Sequence, residues 1–542
     1  MKRRGWTHIV VGAGAAGCVL AARISENADF NVLLIEAGGQ GRSPSLSVPM
    51  MAAVLMSGRA HVWRYATGPE PGLGARSVDL PRGRVLGGST AINGMVYARG
   101  LPSDYDLWAQ RGMSGWSWEA VKPLFLRSER FQGPGAAGED HGTDGSLTVS
   151  RRARPVSPLA ASFVEAGISA GHPACADFNS GTPEGFGYFH FTIRDGRRES
   201  TARAFLAGVR DRDNLTVRTG VEVRRLMIEQ GRAVGVVLTS GKGEETVEAE
   251  GEVILSAGAI GSPVLLQRSG IGPAEVLEPL GIQPVADLRE VGENLHDHVL
   301  VRVSHAAKED ATLHGLTRID RAAVAFMRAW LFGAGPMNVF PLEAGAYMRG
   351  TGADLPNIQS HFLPALTSAT VRFNPFSTSA NSRPGFMANA SVMRPLSRGA
   401  VRLVSKDPSV QPDIRLNYLS DPHDVETLVD AVGLLRDVFA QKAFDRYRGS
   451  ELQPGPGART RRSIEVWVRK TAGTVHHLSG SCRMGADESS VVDPELRVRG
   501  VCALRVADAS IFPSIPSANT AAPAIMVGEK AADLVLGECP TG

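Results

Sequence analysis

At 542 residues the chain is too long for a single hydrophobic core, so two or more domains are expected, with room to bury a large cofactor. Its 58 lysines and arginines against 55 aspartates and glutamates leave a net charge of +3, which gives no electrostatic case for nucleic acid or an acidic partner. Hydrophobic residues at 43% and charged residues at 21% are ordinary globular values, and no apolar run reaches the length of a membrane span.

Near the N-terminus, Lys2-Arg3-Arg4 before an apolar run imitates a secretory signal, yet the run holds glycines that a nucleotide site would need. Thr7–Val11 reads as a buried parallel strand, and Gly12-Ala13-Gly14-Ala15-Ala16-Gly17 turns it into a helix running to about Glu26. Gly12 allows the tight turn, Gly14 lets backbone approach a pyrophosphate, and Gly17 lets helix pack on strand. The helix N-terminus then faces the phosphates. Phe30–Ile35 reads as the second strand, and Glu36, followed by Ala37, places a carboxylate where it accepts hydrogen bonds from both ribose hydroxyls. That acid argues for an unphosphorylated ribose, hence FAD or NAD.

Next comes Pro81–Arg99, in which Gly83, Gly87, Gly88 and Gly94 imply backbone lying against something flat, with Ser89, Thr90 and Asn93 offering polar contacts. This stretch, followed by Asp104-Tyr105-Asp106, Trp108 and Gly115-Trp116-Ser117, resembles the first signature of the glucose–methanol–choline (GMC) oxidoreductases. The resemblance implies that Arg84, Gly87, Gly88, Ser89, Asn93, Gly94, Met95 and Val96 run along FAD. Some members bind FAD covalently through a histidine two residues before Gly94; Ile92 stands there, so dissociable FAD is expected.

Further matches follow in order. Glu199–Leu206 reads as the start of a helix, and Asn214–Val223 as a turn and strand, with Val223 matching a backbone contact to adenine. Glu252–Leu255 is another strand, leading through Ala257 into Gly258–Gly272, which resembles the second GMC signature. His296 and His298 have no third ligand at a useful spacing and are read as structural, so no metal is expected. The five cysteines are scattered, without CxxC spacing, which argues against a disulfide framework and for a reducing compartment.

From about Val299 to Thr471, short strands punctuated by proline and glycine surround two helical stretches, Arg321–Phe332 and Asp424–Gln441. The run Ala322–Phe332 is read as a buried helix, although a lid or membrane-touching helix is the alternative. Glu343 and His361 lie in segments similar to those lining the family's active-site cavity, and Glu343 is a candidate for holding a cationic substrate. Thr474–Gly485 and Leu504–Asp533 resemble the two C-terminal motifs. Aligned on them, His477 takes the place of the catalytic histidine and Asn519 that of its partner. His476 takes the preceding, often aromatic, place, while Asp508, Ala509 and Thr520 fall at the cofactor.

The resemblance thus implies an α/β protein. A Rossmann-like FAD domain with a parallel sheet is expected from residues 1–155, 200–300 and 472–542, and a substrate domain with an antiparallel sheet from 156–199 and 301–471. It implies oxidation of a primary or secondary alcohol by a choline-, sorbose- or alcohol-dehydrogenase-like enzyme, with a quinone-like acceptor favoured over oxygen. An oxidase, or a lyase or photodecarboxylase on the same fold, is the alternative. The expected location is the cytoplasm, with peripheral membrane contact left open.

Overall fold

Trp6–Val11 forms a strand because its apolar residues are wanted on both faces: Ile9, Val10 and Val11 are all buried. The chain then turns through Gly12 into the helix Ala15–Ile24 and returns as the strand Val32–Glu36, two residues later at its start than expected. A computed structural model describes residues 5–134, 138–152, 155, 157–241, 243–366 and 383–537; Lys2-Arg3-Arg4 and Cys539 lie outside them. The four described cysteines are free thiols, and no described helix is long and apolar enough to cross a membrane.

Among the described residues, one sheet runs in the order Leu215–Thr219, Val32–Glu36, Trp6–Val11, Gly243–Leu255, Arg232–Ser240 and Glu222–Glu229, with Leu504–Val506 also paired to Gly243–Leu255. The long strand Gly243–Leu255 belongs to two patterns. Its first half pairs antiparallel with Arg232–Ser240, and its second half lies parallel between Trp6–Val11 and Leu504–Val506. The ends of the parallel strands bring Gly12, Glu36, Ser256 and Ala507 to one edge, where α/β sheets bind nucleotides.

The second sheet is almost wholly antiparallel, ordered Arg448–Gln453, Val299–Ala307, Gly385–Val392, Ile358–Leu363, Ala344–Met348, Gly185–Tyr188 and Ala174–Cys175. Its period-two alternation sorts the residues. Phe362, Phe386, Ala388 and Ala390 join a core beneath the helices Pro158–Ser169 and Pro422–Ala440, whereas Leu300, Arg302, His361, Leu363, Met387 and Asn389 look into a cavity on the other face.

Two local expectations need correction. Glu199–Leu206 yields only a single π-helical turn, Ala202–Leu206. The helix Ile319–Phe332 is not buried: its small residues Ala322, Ala325 and Ala329 pack inward at helical spacing beside Val48 and Met337, leaving Val324 62% and Phe332 76% exposed. An apolar run long enough to surround a helix must turn its bulkier side outward when only a narrow alanine stripe is covered.

Candidate active site

A cavity of about 740 Å³ runs from the glycine turn at Gly12 to His477 and Asn519. Its nucleotide end follows from backbone constraints. Gly12 has φ of +101°, and a Cβ there would lie 2.5 Å from the Ser256 carbonyl oxygen. At Gly17 a Cβ would lie 1.9 Å from the Gly12 carbonyl oxygen, so any side chain would push helix from strand. Gly14 instead opens onto the cavity, with no side-chain cap on the helix that follows it. The first-turn N–H groups of that helix, beside Ala15 and Ala16, thus face the cavity, an arrangement suited to phosphates.

Glu36 is buried at the tip of its strand and accepts hydrogen bonds from the N–H groups of Ala13 (3.1 Å) and Gly38 (2.8 Å). Burial outweighs these bonds and raises its carboxyl pKa to about 7. Ala37, Val223 and Ala257 line the same end. Gly88, with φ of +52°, sits against Gly14, and Ser89, Asn93, Gly94, Met95 and Val96 carry the lining onward. Asp508, Ala509 and Thr520 lie opposite. The Asp508 carboxylate is already occupied, accepting from the Gly258 N–H at 2.8 Å and the Ser262 hydroxyl at 2.6 Å. It ties two cofactor-side loops together.

Not every expected residue reaches the cavity wall. Gly17 and Gly87 act one layer out, the Gly87 N–H donating to the Ala13 carbonyl at 2.8 Å. Arg84 stacks over the Trp63 ring at 4.3 Å and pairs with Glu222 at 3.7 Å. Glu343 is also outside the lining, near Tyr188, whose phenol pKa is raised by burial and by that carboxylate. His361 and His476 do line the cavity.

At the far end a relay of hydrogen bonds fixes which nitrogen of His477 is bare. The His298 Nε2 faces the Met393 carbonyl at 2.9 Å and therefore carries a proton, leaving its Nδ1 to accept. That Nδ1 lies 2.9 Å from the Nδ1 of His477, which must donate. The Nε2 of His477 is then an unprotonated acceptor turned toward the Asn519 Nδ2 at 3.3 Å. Asn519 is oriented in turn, because its Oδ1 accepts from the Gln359 amide at 3.2 Å. The backbone is pinned by Asp297, whose Oδ1 accepts the His477 N–H at 2.6 Å while its Oδ2 accepts from the Tyr418 hydroxyl at 2.6 Å. Reading His298 as merely structural is thus corrected. The sequence signal was its place in Leu295-His296-Asp297-His298, but only pairing of Val299–Ala307 with Gly473–Thr474 brings it to His477.

Electrostatics keep these rings neutral. Burial, aided by His298, His361, His476 and Arg82, holds His477 well below the ordinary histidine range. Burial takes His298 and His361 down to about 4, and burial with Arg82 and Arg302 takes His476 to about 3. A neutral His477 with a bare Nε2 is a base throughout the neutral range.

One described cluster, His141, Asp177 and His190, has ligand atoms close enough for a metal. Its protons are already assigned. His190 Nδ1 accepts from the Asn179 amide at 2.9 Å, so its Nε2 carries hydrogen. His141 bridges Glu129 at 3.1 Å and Asp177 at 2.7 Å; burial opposes its charge, but those carboxylates outweigh it and raise its pKa to about 9. With Arg99 against Glu129, this is an ion network filled with protons.

A dinucleotide cradle leading without a break to a neutral base and an oriented amide defines a cofactor-dependent oxidoreductase. The chain belongs to the GMC oxidoreductase family: the family's N-terminal profile matches residues 6–300 and its C-terminal profile residues 395–528. It is 42% identical to an oxygen-dependent choline dehydrogenase of Photobacterium profundum, over 99% of this chain and 94% of that one. Among solved structures it is similar to a pyridoxine 4-oxidase from Mesorbium loti (TM-score 0.87, 32% identity, 98% of this chain and 100% of that one). A formate oxidase of Aspergillus oryzae superimposes with TM-score 0.91 at 26% identity, over 99% and 98% of the two chains. The cofactor is FAD, and the residues fit it: a glycine cradle without Cβ atoms, a ribose-side carboxylate, and a cavity continuing to the base.

Attachment of that FAD is a separate matter. Ile92 is buried on the cavity wall and offers no nucleophile. Flavin colour should therefore leave with the supernatant when the protein is precipitated with acid; colour retained in the pellet would contradict a dissociable cofactor.

Proposed function

We propose that this protein oxidises a primary or secondary alcohol to the carbonyl, with His477 as the base and Asn519 as its partner. The observation that carries the reading is the bare His477 Nε2 facing the Asn519 Nδ2 at the end of the flavin cavity. An alcohol releases hydride readily only if its hydroxyl proton leaves at about the same time, so a base must sit by the oxygen. His477 Nε2 takes that proton. The Asn519 N–H donates to the developing alkoxide and orients the carbinol carbon. The flavin supplies a hydride acceptor for that carbon. His298, accepting from His477 Nδ1, then faces a doubly protonated ring and shares its positive charge.

On this reading the first sheet holds FAD and the second covers it with a substrate cavity. The domain division 1–155, 200–300 and 472–542 against 156–199 and 301–471 is proposed with it, shared at the strands Val299–Ala307 and Gly473–Thr474. A cytoplasmic location is part of the same proposal.

The deciding experiment is anaerobic addition of an alcohol panel to the holoenzyme. Bleaching of the flavin absorbance by alcohols supports the reading, and an unchanged spectrum with every alcohol favours a lyase or photodecarboxylase. For the acceptor, the apolar lining that includes Leu313, Leu316 and Met337 suits a quinone or dye, which should outpace oxygen. The oxygen-dependent relatives motivate the contrary outcome, stoichiometric peroxide at a turnover matching the dye rate.

A further inference from the structure

Among the described residues, Arg302 is a cavity-lining cation on the substrate side that the chemistry above leaves unused. It lies on the strand Val299–Ala307, inward at every second residue with Leu300, and meets Asn389 across the sheet. Among the described residues its guanidinium has no hydrogen bond and no ion pair, and burial lowers its pKa. A half-buried guanidinium that opens onto a cavity without a carboxylate beside it is free to take an anionic ligand there.

An unsatisfied polar group accompanies it. The His476 Nδ1, which donates in one tautomer, is buried without a partner, His476 lines the cavity, and Arg302 is close enough to His476 to depress its pKa. Among the described residues no acid shares this niche. The lining carboxylates are Glu36, Glu222 and Asp508, all at the nucleotide end and all with donors of their own. Residues 367–382, which follow Leu366 of the lining, contain no aspartate or glutamate. Glu343, the candidate for a cationic substrate, is outside the cavity wall.

We propose that Arg302, with His476 beside it, forms an oxyanion subsite, so that the substrate is an alcohol bearing a carboxylate or phosphate rather than a quaternary ammonium. The inference rests on the alcohol-oxidation reading for the word alcohol, not for the subsite. Spacing sets the substrate's length. At about 3.3 Å per strand residue, the Arg302 Cα is about 13 Å along the chain from that of His298, which touches His477. The wall between is apolar, from Leu300, Leu342, Leu363 and Met387. Carbinol and anion are therefore separated by several apolar atoms.

The test uses the holoenzyme and four probes: 1-hexanol, 6-hydroxyhexanoate, 6-hydroxyhexyl phosphate and choline, each read by anaerobic flavin bleaching. An anionic probe should exceed 1-hexanol in kcat/KM by about tenfold or more, with choline poorest, and the better of the two anions identifies the oxyanion. Arg302→Gln should collapse that ratio toward one, chiefly through KM, while Arg302→Lys retains most of it. Hexanoate, which cannot be oxidised as an alcohol, supplies a readout without turnover: its perturbation of the flavin spectrum should need about tenfold more ligand in Arg302→Gln. Preference for 1-hexanol or choline, unchanged in Arg302→Gln, would overturn the subsite. If no alcohol bleaches the flavin but hexanoate binding still depends on Arg302, the subsite stands and the alcohol reading falls. If hexanoate does not bind, or binds equally to wild type and Arg302→Gln, the subsite falls.

Discussion

Replacing His477 with alanine should slow anaerobic flavin reduction by alcohol roughly 10²–10⁴-fold, the scale of a lost general base, with FAD still bound. The ring makes two polar contacts, to His298 and Asn519, and neither belongs to the glycine cradle that holds the cofactor. His476→Ala should cost much less for a substrate that lacks an anion, because no polar contact joins the His476 ring to the relay and its unpartnered Nδ1 belongs to the Arg302 niche. The pH profile carries a second signature. Because burial and the neighbouring histidines and Arg82 hold the His477 pKa far below 6.5, the base stays unprotonated as the medium is acidified through 6.5. The acid limb of kcat/KM should therefore appear well below the ordinary histidine value in wild type. A reversal of the two alanine variants, with His476→Ala inactive and His477→Ala near normal, would remove the assignment.

The second large effect is expected at His298, which touches no substrate and acts by holding the tautomer of His477. Its Nδ1 accepts the proton that would otherwise be free to sit on either nitrogen of His477. Losing a buried hydrogen bond of this kind costs about 1–3 kcal/mol, equivalent to roughly 5–150-fold in the fraction of His477 with a bare Nε2. His298→Leu should therefore lower kcat by that range with little change in KM. His298→Asn, whose carboxamide oxygen stands near the place of the imidazole Nδ1, should restore most of it. A simple packing role would make both substitutions equally harmful or equally harmless, and so would sink the tautomer argument.

Acidification should also weaken the fold in a predictable window. His8, His190, His298 and His361 are buried with pKa values lowered to about 4, chiefly by burial. In the unfolded chain these groups bind protons below about 6.5, while the folded chain resists protonation until about 4. Their contribution is thus fully present above pH 6.5 and is lost as pH falls from there toward 4. Melting temperature against pH checks this, and a flat profile across the window would contradict it.

Sequence by itself determined the nucleotide end of this protein. The glycine turn, the two strands and Glu36 are contiguous in the chain, and the local geometry of strand, turn and helix fixes their relation without help from distant segments. His477 and Asn519 were reached by motif resemblance, since 42 residues separate them and no periodicity joins them. The tertiary structure alone decided the rest. Whether a histidine is inert or sets a tautomer depends on which strand lies beside it, and His298 meets His477 across 179 residues of chain. Whether an acid faces the substrate depends on the path of the segment entering Ala344–Met348, where Phe340, Pro341 and Leu342 line the cavity and Glu343 does not, while Arg302 is turned into it. Composition could not foresee the exposed side of Ile319–Phe332 either, because how much of a helix is covered is set by the neighbours it packs against and not by its own apolar content.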